Sequence, residues 1–483
     1  MTIHHSSPSR HSDHTAHRGD GGLSLQQHAE EPYETLNLHN FEQVPQLARL
    51  PKELRDEIKV VGHVLPFKSN RYVVDHLIDW DNVPDDPMYR LTFPKREMLT
   101  PEAYARIEEL VHRDAPNDEV EAAANEIRLT LNPHPAGQLD HNAPLLDGKR
   151  LPGMQHKYRE TVLFFPSQGQ TCHAYCTFCF RWPQFVGLEG MKFAMREATL
   201  LREYVHAHPD VSDILFTGGD PLIMKTRVLR RYVAPLLEPG AAPNIATIRI
   251  GSKALAYWPH RFVSDDDAED LLALFREVVD SGRQLSFMAH FSHPAELETP
   301  IVREAIRLVR ETGAQIRTQT PVLRHINADA PTLARMWRLQ TQLGCIPYYL
   351  FVERDTGARR YFELPLVKCW EIFRDAYAAV GGNSRTVRGP SMSATPGKVQ
   401  VLGVTEVAGE RVIALRMLQG RNPDWVGRPF FARYSDTATW LDGLEPAFGA
   451  SEFFYDAELR EMLSVAGSPW SRDELSLPMA NTS

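Results

Sequence analysis

From residue 153 onward two apolar rhythms alternate. Short apolar runs stand at 161–165 (TVLFF), 213–216 (DILF), 246–250 (ATIRI), 285–288 (LSFM), near 316 (QIR) and 348–352 (YYLFV). Runs of this length, bounded by turn residues, predict strands. Between them, amphipathic stretches near 193–207, 226–237, 266–281, 299–313, 330–343 and 366–380 predict helices. Connections that long are what parallel pairing of successive strands requires. The repeated order therefore predicts an α/β fold, a partial (β/α)6 barrel two units short of the closed eightfold form.

The flanks read differently. Residues 1–35 hold many His, Ser, Asp and Gly and almost no large apolar side chains, too few to offset the entropy of ordering, so a disordered tail is predicted. His4, His5, His11, His14 and His17 can chelate a metal, but a flexible leader accounts for them equally. Residues 36–152 form a helical N-terminal region with Pro-rich breaks. Thr100 followed by Pro101 marks a helix start, a second helix runs near 118–131, and NPHPAG at 132–137 opens an extended connector to residue 152. The barrel is assigned to 153–384. After 385 come Pro, Gly and short β-like runs, assigned to a small irregular C-terminal region, 385–483.

Composition narrows the class. With 53 Lys plus Arg against 62 Asp plus Glu the formal charge is −9, which leaves no global electrostatic footprint for nucleic acid. No apolar stretch is long enough for a membrane span, and the N-terminus lacks a secretory signal pattern, so a cytoplasmic location is expected. Of the five cysteines, Cys172, Cys176 and Cys179 fall within one short segment, while Cys345 and Cys369 stand alone. That spacing suits a metal site better than a disulfide framework.

The three cysteines form a CxxxCxxC directly after the first barrel strand, in the kind of loop where a barrel carries chemistry. Three thiolates ligate three corners of a cubane 4Fe-4S cluster and leave the fourth iron open to a small molecule. Structural zinc is the other reading. It normally takes four ligands in spaced pairs; no second CxxC follows, and His173 would have to complete the set from between two ligating cysteines. At the end of the next strand comes FTGGDPL, 216–222, where Gly218 and Gly219 permit close backbone approach to a ligand and Asp220 adds an acceptor.

CxxxCxxC with the aromatic Phe178 before its third cysteine resembles the signature of radical S-adenosylmethionine enzymes, and the GGD at this distance resembles a second motif of that superfamily. Within it the chain resembles the lysine 2,3-aminomutase family, because segments match in order from about residue 80 to about 400. They are HKYRETVLF (156–164), IRIGSKA (248–254), AHFSHP (289–294), TQTPVLRHIN (318–327) and PYYLF (347–351). The resemblance implies an amino-acid 2,3-aminomutase, an isomerase. Reductive cleavage of S-adenosylmethionine on the cluster would yield a 5'-deoxyadenosyl radical, and a pyridoxal 5'-phosphate imine would carry the amino group from the α- to the β-carbon.

Site residues carry over singly. The resemblance assigns Cys172, Cys176 and Cys179 to the cluster, and Phe178 to packing near adenine. It assigns Gly218, Gly219, Asp220 and Gln319 to S-adenosylmethionine, Arg181 to the substrate carboxylate, and Lys157, Tyr158 and Lys253 to pyridoxal phosphate. Lys157 and Lys253 stand where the family has arginine, which keeps charge but loses the bidentate fork. His290 and His293 read as core histidines. The family's cofactor-binding lysine follows a DxPGGGGK segment; the counterpart here, SATPGK, ends at Lys398 with a shortened glycine run. Lysine-specific members hold the distal ammonium with two acids. Here the first falls on Arg354 or, shifted by one, Asp355, and 388–397 contains no acid. Free lysine is therefore not the expected substrate.

Several family members carry a C-terminal CxCxxC that contributes to an intersubunit zinc site, and no cysteine follows Cys369 in this sequence. A homodimer through other surfaces stays open, and a cellular reductant such as flavodoxin or ferredoxin is implied as partner, with no nucleic acid or membrane. Two other readings remain: a radical enzyme of different hydrogen-abstraction chemistry that dispenses with pyridoxal phosphate, and a non-enzymatic zinc protein.

Overall fold

The structure, a computed structural model, describes residues 31–132, 142–187 and 194–464. Most of the predicted tail and part of the 132–152 connector lie outside the described residues. No helix among those described is long and apolar enough to cross a membrane.

One sheet of eleven strands organises the chain, with spatial order equal to sequence order. It opens with an antiparallel hairpin, β1 (Met154–Tyr158) and β2 (Thr161–Phe164). Then β3 (Asp213–Phe216), β4 (Thr247–Ser252), β5 (Gln284–His290), β6 (Gln315–Val322) and β7 (Ile346–Val352) follow, each parallel to its predecessor from β2 onward. These are the six strands anticipated from the apolar runs. The six helices also appear: Ala198–Ala207, Thr226–Leu237, Ala268–Asp280, Pro300–Glu311, Ala330–Gln342 and Leu366–Ala378.

The sheet does not stop at residue 384. β8 (Arg388–Ser393) pairs parallel with β7, and β9 (Gly397–Val407), β10 (Glu410–Gly420) and β11 (Pro429–Arg433) continue it antiparallel. The expected irregular C-terminal region is thus, in its first half, an extension of the main sheet. β8 escaped notice because Gly389 and Pro390 break the apolar alternation that marks a strand. The glycine is needed there: a Cβ at Gly389 would stand 2.5 Å from the Leu350 carbonyl oxygen of β7.

The helices form where periodicity and capping agree. In Pro300–Glu311 the buried residues Ile301, Val302, Ala305, Ile306 and Val309 share one face, Pro300 sits at the first position, and the Thr299 side chain accepts from the Val302 amide. Each of the Ile and Val side chains contributes roughly 1.5–3 kcal/mol by leaving water. The Thr299 hydroxyl also meets the Tyr72 hydroxyl at 2.8 Å, tying the helix to the N-terminal region. There, Thr100 caps Pro101–His112 as expected, accepting from the Ala103 amide. The main core runs from Leu36 to Val387, and a second cluster, from Val352 to Leu459, lies under β9 to β11.

Two packing features matter for the site. The N-terminal region grips the cysteine loop: the Tyr175 amide donates to the Lys68 carbonyl (2.8 Å), the Thr177 amide to the Leu91 carbonyl (2.9 Å), and the Tyr33 hydroxyl to the His173 carbonyl (2.8 Å). Tyr33, assigned by sequence to the tail, is therefore part of the fold. The hairpin also meets the far strands, because the Lys157 ammonium on β1 donates to the Ala394 carbonyl just beyond β8, and Asn142, whose carbonyl accepts from the His156 amide (2.9 Å), takes a hydrogen bond from Arg421 on its side chain (2.7 Å).

His156 on β1 is fully buried, with Nε2 3.1 Å from the Arg159 carbonyl and Nδ1 2.6 Å from the Tyr204 hydroxyl. A carbonyl needs a donor, so Nε2 carries the hydrogen and Nδ1 accepts from the tyrosine. Burial pushes the ring's pKa down to about 4. The unfolded chain, with an ordinary histidine near 6.5, takes up a proton that the folded ring refuses. The stabilisation is complete above about pH 6.5 and is lost as pH falls from there toward 4. The urea midpoint is expected to drop on acidification through this window, and to drop less in a His156→Asn variant measured against its own neutral value. Equal slopes for the two proteins would remove His156 from the account.

Candidate active site

The loop after β2 carries Cys172, Cys176 and Cys179, all partly buried and none in a disulfide. Burial pushes the thiols up, Cys176 to about 11, Cys179, which also feels Cys176, to about 12, and Cys172, which also feels Asp220 and then the other two cysteines, well above its ordinary value. Among the described residues no three His, Cys, Asp or Glu side chains converge as ligands of one ion.

The glycines of the GGD segment anchor this loop by close approach. A Cβ at Gly219 would lie 2.5 Å from the Thr171 carbonyl oxygen and 2.6 Å from its nitrogen, and at Gly218, φ +147°, it would lie 2.5 Å from Gln170 Nε2. The Gly219 amide donates to the Gly169 carbonyl (3.0 Å) and the Asp220 amide to the Thr171 carbonyl (2.7 Å). Asp220 is buried and its carboxylate accepts from the Leu222 amide, the Ser252 hydroxyl and the Lys253 amide, each at 2.9 Å. Burial raises its pKa to about 6. The side chain thus fastens β3 to β4, a structural task that the sequence had not indicated.

Lys253 follows β4 on this same side. Its ammonium pairs with Glu296 (2.6 Å) and lies 4.6 Å from the Tyr257 ring centroid, and the Tyr257 hydroxyl is 3.2 Å from Cys176 Sγ. Gln319 Nε2 meets His290 Nε2 at 2.5 Å across β5 and β6. The partner of His290 is thus the neighbouring strand, while His293 caps a short turn by accepting from the Ala295 amide. Phe178 packs on the main core, edge to face with Phe362.

A separate cavity of about 290 Å³ opens between the β1–β2 hairpin and the far strands. Lys157, Tyr158, Arg181, Arg354, Asp355 and Lys398, drawn from four separated parts of the sequence, all line it. Lys398, at the start of β9, places Nζ 4.1 Å from the Tyr349 ring centroid. Burial, then the nearby Arg249 and Arg388, push its amine down to about 7. Burial likewise holds the Lys157 ammonium well below its usual range. The Arg354 Nη1 donates to the Ser393 carbonyl (3.2 Å), and its Nε has no hydrogen-bond partner among the described residues. Arg181, two residues after Cys179, stacks on Phe165 and Phe180 and reaches the cavity from the cysteine side.

The predicted residues thus fall into two groups, one around the cysteines and one around Lys398, with Arg181 between them. Lys253 falls in the first group. Expected beside the phosphate, it is absent from the cavity wall and is engaged by Glu296, because β4 ends on the cysteine side. Sequence reasoning missed Arg249, Arg421, Trp440 and Asp442, which also line the cavity. Arg249 had a signal, a charge between Ile248 and Ile250 on a buried strand, where it pairs with Asp213 at 2.7 Å. Arg421, Trp440 and Asp442 had none.

The chain is 30% identical over 396 residues to a putative L-lysine 2,3-aminomutase of Aquifex aeolicus, covering 82% of this chain and 92% of that protein. It is 30% identical over 232 residues to the L-lysine 2,3-aminomutase of Escherichia coli, covering 48% and 63%. With the enzyme of that name from Clostridium subterminale identity is 26% over 265 residues, covering 54% and 59%. No family model matches. Among solved structures, native anSMEcpe with bound AdoMet aligns with a TM-score of 0.32 at 13% identity, covering 45% of this chain and 60% of that one.

Proposed function

Since the chain belongs to the lysine 2,3-aminomutase family of radical S-adenosylmethionine enzymes, we propose that it moves an amino group from the α- to the β-carbon of an amino acid, on a partial (β/α)6 barrel. The observation that carries this reading is the convergence of Lys157, Tyr158, Arg181, Arg354, Asp355 and Lys398 on one cavity beside the cysteine loop.

The donor sets fit both cofactors. Three neighbouring, partly buried thiols resist ionisation until a cationic centre takes them as thiolates, and a cubane cluster is a centre that three such ligands hold with one iron left open for S-adenosylmethionine. Phe178, Gly218, Gly219, Asp220 and Gln319 are the residues the family resemblance assigns to S-adenosylmethionine. Pyridoxal phosphate, when bound, would hold the substrate amino group and delocalise the unpaired electron during migration. The protein's part is positional. Lys398 offers an amine that burial brings to about half neutral near pH 7, and the neutral form is the one that attacks a carbonyl. Lys157, Tyr158 and Arg421 supply donors for a phosphate, and Arg181 a planar fork for the substrate carboxylate. Leu163, Leu215, Phe180 and Trp440 give the cavity the apolar part of its wall. A low-potential donor, flavodoxin or ferredoxin, would supply the electron.

The test is anaerobic reconstitution, then incubation with S-adenosylmethionine, dithionite, pyridoxal phosphate and a pool of amino acids. A β-amino acid formed together with catalytic 5'-deoxyadenosine is the expected result. Turnover without any need for pyridoxal phosphate would favour the other hydrogen-abstraction chemistry.

Charge in the cavity bears on the substrate. Arg249 pairs with Asp213 and burial lowers the Lys157 and Lys398 amines, which leaves Arg181, Arg354 and Arg421 facing only Asp355 and Asp442 among the lining residues. By the resemblance, Arg354 or, shifted by one, Asp355 stands where lysine-specific members hold the distal ammonium; a second ammonium placed against Arg354 would cost several kcal/mol, on the order of a buried charge without its partner. Acidic or neutral side chains suit the unpaired Arg354 Nε better. In competition assays with lysine, glutamate, arginine and neutral amino acids, kcat/KM for lysine is expected to be at least about tenfold below that of the best substrate. Selective production of β-lysine would reverse the assignment and leave the aminomutase reading intact.

A further inference from the structure

Tyr257 has no part in the chemistry described so far, yet it makes a specific contact with the cysteine loop. It ends the short helix Ala254–Tyr257 after β4 and is 1% exposed. Its hydroxyl lies 3.2 Å from Cys176 Sγ. The ring is held on several sides. Its carbonyl accepts from Asn70 Nδ2 (3.0 Å), its amide donates to the Lys253 carbonyl (2.9 Å), and the Lys253 ammonium sits 4.6 Å from the ring centroid. That ammonium is itself fixed by Glu296, fully buried and accepting from the Ser292 and His293 amides.

We propose that Tyr257 is a positioning residue that donates its phenolic hydrogen to the Cys176 sulfur and raises the reduction potential of the cluster bound there. The proposal rests on the cluster reading given above. In the apo geometry either atom can be the donor, but a cysteine bound to iron is a thiolate with no hydrogen, so only the phenol can donate. A hydrogen bond to a ligating sulfur withdraws electron density, which favours the state carrying one more electron. Lys253 above the ring polarises the phenol further, and the low polarity of a buried site strengthens the bond. The contacts at the neighbouring cysteine are of another kind. Lys68 donates to the Cys172 carbonyl (2.7 Å), which orders the loop without touching its sulfur.

The experiment uses the full-length protein, wild type and Tyr257→Phe, reconstituted anaerobically with iron and sulfide and studied without S-adenosylmethionine. Redox titration followed by electron paramagnetic resonance of the reduced cluster is expected to show the variant's equilibrium shifted about tenfold toward the oxidised state, about 59 mV more negative for one electron. Pulsed nuclear double resonance in H2O and D2O is expected to show an exchangeable proton coupled to the wild-type cluster and missing from the variant. Equal potentials in equally loaded proteins overturn the proposal. Should the variant fail to take up iron, the wild-type spectrum decides alone, and the absence of a coupled exchangeable proton there overturns it as well. A wild type that binds neither iron nor sulfide would instead sink the cluster reading itself.

Discussion

Replacing any one of Cys172, Cys176 or Cys179 by alanine is expected to take 5'-deoxyadenosine formation below detection. Three protein thiolates are the fewest that hold a cubane while leaving one iron free, so a loop with two would surrender the cluster to solvent and competing ligands. The fold should survive, because the loop is held by backbone bonds from Lys68 and Leu91 and by the packing of Gly219 on Thr171, and none of these uses a cysteine side chain. The variants should therefore melt close to the wild-type apo protein while losing iron, sulfide and the brown colour together. A triple variant that still cleaved S-adenosylmethionine reductively would show that the radical chemistry, if present, is seated elsewhere.

Changing Lys398 to alanine is expected to lower amino-group migration on the order of 10³-fold, the scale on which covalent positioning of reactants contributes. Reductive cleavage of S-adenosylmethionine should persist, since the cysteines stand in the other group of residues. Borohydride treatment of the holoenzyme, followed by peptide mapping, should place the phosphopyridoxyl label on Lys398. A label on Lys157 would reassign the site. The pH dependence is specific. With an amine pKa near 7, attachment of pyridoxal phosphate should be flat above about pH 7 and fall roughly tenfold per unit below it, as the amine gains a proton. An unperturbed lysine would instead show attachment rising steadily toward pH 10, and that profile would contradict the buried position of Lys398.

Some of this was legible in the chain and some was not, for reasons that differ by element. The six parallel strands β2 to β7 and the helices between them follow from short apolar runs alternating with 3.6-residue periodicity, because a strand buried on both faces and a helix buried on one leave those marks locally. The cysteine loop and the GGD segment were equally plain, since a ligand set within one loop is a matter of spacing along the chain. β8 was not legible, because Gly389 and Pro390 interrupt its pattern and its strand character comes from pairing with β7. The division of the site residues into two groups was decided only by the tertiary structure. Lys157 and Lys253 look alike in sequence, each a lysine where the family has arginine, yet one leaves the hairpin toward Lys398 and the other leaves β4 toward Glu296 and the cysteines. Arg421, Trp440 and Asp442 join the cavity because the antiparallel strands return the chain to the hairpin, and Tyr257 reaches Cys176 because the end of β4 lies beside the loop after β2. Sequence alone determined which chemistry-bearing residues are present and the order of the elements that carry them. Which of those residues face one another depended on where each strand ends, and that is set by long-range packing that no local pattern encodes.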